Sequence, residues 1–85
     1  MKRRKLLERL TRGHVENVPF QDFVDLVVGF GFREVRVRGG HHAFGRSEVQ
    51  QLLNLQPQRG EAKPYQIRQF LRLVESYNLR LEEED

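Results

Sequence analysis

Eighty-five residues can bury one modest hydrophobic core and leave little chain for a second. With no cysteine, neither a disulfide framework nor a thiolate metal cluster can staple the fold; no apolar run nears the roughly 20 residues that span a bilayer, and the basic start leads into charged sequence, not a signal-peptide apolar region, so a cytoplasmic protein without a membrane partner is expected. The net charge is +3, but four of the 12 acids form the terminal run Glu82, Glu83, Glu84 and Asp85, and without them the balance is 15 − 8 = +7, a surplus suited to a polyanion or, more blandly, to solubility alone.

In chain order, Lys2 to Leu10 can form a short basic helix with Leu6, Leu7 and Leu10 on one side, broken at Thr11-Arg12-Gly13, that either docks or frays. Asn17 and Pro19 suit the start of a second helix, in which Phe20, Phe23, Val24 and Val27 recur at i, i+3, i+4 and i+7. Gly29 and Gly31 are expected to end it, since glycine adopts the left-handed conformation that closes a helix.

From Phe32 to Arg38 the period changes to two, with Val35 and Val37 alternating against Glu34, Arg36 and Arg38, which predicts a half-buried strand. Gly39-Gly40 predicts a two-residue hairpin turn, with His41 to Phe44 as the antiparallel return. A third strand is expected through Leu53 and Leu55 towards Gln58, with Pro57 near its end and a turn at Gly60. Lys63-Pro64 opens the last helix, in which Ile67, Phe70, Leu71, Val74 and Tyr77 share one face, away from Gln66, Arg68, Gln69, Arg72 and Glu75. An antiparallel sheet with helices on one face makes a two-layer α+β fold, the other sheet face being left to solvent.

A two-residue turn sets Arg38 opposite His41, Val37 opposite His42, Arg36 opposite Ala43 and Val35 opposite Phe44. His42 then joins Val35, Val37 and Phe44 on the apolar side, while His41 joins Arg36 and Arg38 on the solvated side. A histidine beside arginines suits phosphodiester cleavage: imidazole can take the proton of a ribose 2′-hydroxyl, and the arginines can hold the phosphate and stabilise its developing charge. Glycines at 39 and 40 would admit a bulky phosphate. Lys63 and Arg68, with Arg72, could add phosphate contacts along the start and flank of the last helix. Three histidines without regular spacing to an acid argue against a metal site, and no Ser-His-Asp, P-loop or dinucleotide pattern is present. His14 reads as loop decoration. The phenylalanines Phe20, Phe23, Phe30, Phe32 and Phe70 read as core, not as a base-stacking platform.

The stretch Gly29-Phe30-Gly31-Phe32 through Arg38-Gly39-Gly40-His41-His42-Ala43-Phe44, with Leu53-Asn54-Leu55-Gln56-Pro57 and Ala62-Lys63-Pro64-Tyr65-Gln66-Ile67-Arg68-Gln69, resembles the HicA family of toxins over about Phe20 to Leu79. That resemblance implies a fold like that of double-stranded-RNA-binding domains. It also implies an mRNA interferase, a ribonuclease of a type II toxin-antitoxin system that blocks translation and is neutralised by a cognate HicB-like antitoxin. The family's catalytic histidine follows a Gly-Ser or Gly-Thr pair, which corresponds to His41 here; the chain departs from that pattern at Gly40, where a hydroxyl residue is usual. Neither a metal nor another cofactor is implied. The chain then divides into a basic N-terminal extension (1–18), a core (19–80) and an acidic tail (81–85). Two other functions share the same basic residues: a non-catalytic module that grips duplex RNA by shape and phosphate, and a chain that works mainly as half of a protein complex, its basic face covered by an acidic partner.

Overall fold

Leu6 and Leu10 stand one helical turn apart among charged residues, and both are buried on the inner side of α1 (Arg3–Thr11). The structure, a computed structural model, describes residues 2–82; Glu83, Glu84 and Asp85 of the expected tail lie outside the described residues. α1 docks: Leu6, Leu10, Val15 and Val18 belong to the same core cluster as the rest of the chain. The Arg9 guanidinium braces the connection that follows by donating to the carbonyls of Glu16 and Asn17.

α2 (Phe20–Gly29) buries Phe23 and Val27 of the stripe its spacing predicts, with Leu26 added, while Phe20 and Val24 are only partly buried against the core. Gly31 closes the helix at φ +89°: its N–H donates to the Val28 carbonyl at 2.9 Å and that of Phe32 to Val27 at 3.4 Å, the paired reverse bonds of a left-handed C-terminal turn. Gly29 has a different task from the one expected. It is the last helical residue, and a Cβ there would meet Leu81 at 2.8 Å and Arg3 at 3.0 Å, so its lack of a side chain admits α1 and the C-terminal segment.

β1 (Arg33–Arg38), β2 (His41–Arg46) and β3 (Val49–Leu55) form one antiparallel sheet in the order β1-β2-β3. Gly39 and Gly40 have φ of +56° and +82°, as a two-residue turn matching the strand twist requires. β3 starts earlier than expected and stops at Leu55, well short of Gln58. The Gln56 N–H donates to the Gln66 side chain instead of to a ladder, and Pro57 has no N–H to offer. Gln58 then pairs with Glu61 across a tight turn at Arg59-Gly60, the Phe20 N–H donates to the Gly60 carbonyl, and the Ala62 N–H donates to the Val18 carbonyl.

The expectation that β1 is half-buried fails. All six of its residues are exposed, Val35 by 56% and Val37 by 55%. The helices and strands pack Phe44, Leu53 and Leu55 into the common core, whereas β1 makes its substantial contacts with β2 alone. A bulge between Glu34 and Arg36 sets Glu34, not Val35, opposite Phe44 and turns Val35 towards Gly45, 3.8 Å from where a Cβ would stand on that glycine.

α3 (Pro64–Ser76) starts on its proline and buries Ile67, Phe70 and Leu73, with Leu71 and Val74 partly buried. Phe70 is the centre of the core, meeting Phe23, Phe30 and Phe32 edge-on at centroid distances of 5.5, 5.3 and 6.0 Å. Two expectations for this helix are corrected. Tyr77 lies past its end and is exposed, its hydroxyl 3.3 Å from Gln51. Gln66 is buried, because its amide satisfies the end of β3. Asn78 turns the chain at φ +54°, Leu79 and Leu81 pack on the core, and the Glu82 N–H donates to Gly29 at 2.8 Å. The result is an α+β domain, three helices against a three-stranded antiparallel sheet.

Candidate functional site

The two-residue turn makes Arg38 the direct partner of His41, and the ladder continues as Val37 with His42 and Arg36 with Ala43. On the far side of β2, His42 faces Leu55, Ala43 faces Asn54 and Phe44 faces Leu53. Strand alternation therefore puts Arg36, Arg38, His41 and Asn54 on the uncovered face of the sheet, and His42, Phe44, Leu53 and Leu55 on the helix side. Ala43, flanked by Arg36 and Asn54, is buried although it belongs to the open face. Nothing beyond their chain neighbours stands within 4 Å of a Cβ built at Gly39 or Gly40, so these glycines serve the turn's backbone angles and the turn itself is uncrowded. The His41 side chain is exposed and makes no hydrogen bond or ion pair with another described residue.

The neighbouring histidine has the partners that His41 lacks. His42 Nδ1 lies 2.6 Å from Glu34 Oε2, and its ring rests on Phe20 with centroids 5.3 Å apart. If Nδ1 carries the proton, it donates to the carboxylate and leaves Nε2 as an acceptor. Straight pairing would put Glu34 opposite Gly45 one ladder step further on; the bulge at Val35 pairs it with Phe44 and so brings it beside His42. A period-two reading carries no sign of that bulge, which is why the pair was missed.

Lys63 and Arg68 are separated by the fold. Lys63 stands at the start of α3 and donates to Gln56 Oε1 at 3.1 Å, one residue beyond the Leu55 that pairs with His42. It therefore approaches the His41 end of the sheet. Beside it Gln66 donates to the hydroxyl of Tyr65 at 3.3 Å, and Tyr65 is 59% exposed. Arg68 instead borders a groove between α1 and α3 with Leu7, Leu10 and Leu71, apart from the hairpin. Arg46, at the other end of β2, is structural: it donates to the Phe30 carbonyl, to Glu48 at 2.8 Å and to Glu82 at 3.4 Å. The backbone N–H of Glu48 and then the Arg46 guanidinium hold the Glu48 carboxyl below the ordinary glutamate range.

Among the described residues no group of three His, Asp or Glu side chains is placed to hold a metal ion, and no helix is long and apolar enough to cross a membrane. No family model, curated protein or solved structure matches the chain.

Proposed function

We propose that this chain is an RNA-cleaving toxin of the HicA type, with a fold of the double-stranded-RNA-binding class and a HicB-like antitoxin as its partner. The observation that carries the reading is the pairing of His41 with Arg38, beside an uncrowded glycine turn. Arg36 lies on the same face, and Lys63 approaches from the start of α3. In the proposed reaction His41 takes the proton of a ribose 2′-hydroxyl, whose oxygen attacks the adjacent phosphorus. The P–O5′ bond breaks and the departing 5′-oxygen takes a proton from solvent, so the products carry a 2′,3′-cyclic phosphate and a free 5′-hydroxyl. Arg36 and Arg38 hold the phosphate and stabilise its developing charge.

The decisive experiment is paired induction of the wild type and His41→Ala, with RNA integrity and growth followed together. Loss of RNA cleavage and of growth inhibition is expected in a variant whose circular dichroism is unchanged; undiminished cleavage by that variant rejects the reading. A second reading, a non-catalytic RNA-binding module, is favoured by the absence, among the described residues, of any hydrogen bond or ion pair that would orient the His41 imidazole. It expects steep salt dependence of binding and intact RNA after long incubation.

A further inference from the structure

Val35 and Val37 are the apolar residues of β1, and the fold leaves both more than half exposed. β1 ends the sheet order β1-β2-β3, so among the described residues its outer backbone edge has no strand beside it. Such an edge is a template for a further strand unless it is blocked. The pair that closes a two-residue turn, here Arg38 with His41, exchanges hydrogen bonds, so the next pair, Val37 with His42, does not. The Val37 N–H and carbonyl consequently face away from β2, into the open edge. The strand reads Arg33-Glu34-Val35-Arg36-Val37-Arg38, a balance of 3 − 1 = +2.

We propose that the free edge of β1 receives an extended acidic segment of a partner protein, added as a fourth strand. The segment alternates Asp or Glu with a β-branched residue. Its acids stand against Arg36 and Arg38 and its apolar residue against Val37, since opposite charges and aliphatic groups are the favourable cross-strand pairs. Main-chain bonds to Val37 supply the attachment, and alternate side chains supply selectivity. The charge of the strand argues against a second copy as occupant, because pairing β1 with itself brings two +2 strands together. A strand seated here covers Arg36 and Arg38 and so displaces RNA from them. That consequence rests on the function proposed above, whereas the docking does not.

The test titrates a synthetic peptide of alternating glutamate and valine into the full chain, followed by amide NMR. Saturable shifts confined to β1 and the Gly39-Gly40 turn are expected. Val37→Pro removes an outward N–H without removing a bond to β2, and it is expected to weaken binding at least about tenfold. Should that variant misfold, the double variant Arg36→Glu, Arg38→Glu serves instead: it should lose the glutamate peptide and accept one of alternating lysine and valine. No shifts at β1, or equal binding of a peptide of the same composition in scrambled order, overturns the proposal. So does a concentration-dependent dimer in sedimentation that Val37→Pro abolishes, which makes a second copy the occupant. A final arm asks whether the peptide displaces RNA. A peptide that docks on β1 without displacing RNA leaves the docking standing and removes Arg36 and Arg38 from the RNA site; His41-dependent cleavage in a protein that takes no peptide at β1 does the reverse.

Discussion

Glu34 and His42 show how one extra residue in a strand redistributes polar groups. The bulge at Val35 brings the carboxylate to the imidazole at 2.6 Å and leaves both partly exposed, 42% and 26% at their side chains. Partly solvated pairs of this kind contribute little, so a double-mutant cycle with Glu34→Gln and His42→Ala is expected to give a coupling of about 1 kcal/mol or less. Urea unfolding of the four proteins measures it. A coupling of several kcal/mol would mean that the pair holds β1 in place. His41 stands one residue away, exposed and with no such tether, as its proposed role requires.

At the scale of elements, the turns are where local chemistry and observed geometry agree most closely. Gly31 combines φ +89° with a neighbour, Arg46 Nη1, only 2.6 Å from where a Cβ would stand. Gly31→Ala is therefore expected to cost about 1–2 kcal/mol or more, read by denaturant midpoint. Gly39→Asn is the contrasting control, expected to be near neutral, because Asn-Gly is the favoured pair for this turn and space around it is open. The hairpin register was legible because a glycine pair fixes loop length, and loop length fixes which residues face each other. The bulge and the end of β3 were not legible. The first is an irregularity in a pattern that reads as regular, and the second depends on a Gln66 side chain ten residues along the chain taking the Gln56 N–H.

For the whole molecule, the basic N-terminal segment is part of the core and not an appendage to it. Leu10, 1% exposed, packs with Val15, Val18 and the phenylalanines. Leu10→Ala is expected to cost about 2–5 kcal/mol in urea unfolding, the range for a buried leucine; a cost near zero would mean α1 is dispensable. Under the proposed function, Arg36→Ala and Arg38→Ala are each expected to lower the slope of log RNA affinity against log salt by about 1, and Arg68→Ala to leave it nearly unchanged, since Arg68 borders the α1–α3 groove. Filter binding at several salt concentrations decides between them. By itself the sequence determined the order of helices and strands, the Gly39-Gly40 turn and the opposite facings of His41 and His42, because these follow from periodicity and loop length. Only the tertiary structure decided what covers each face. Periodicity says that Val35 and Val37 alternate with charges, but whether an apolar residue is buried depends on which strands the helices overlie, and here they leave β1 uncovered at the edge.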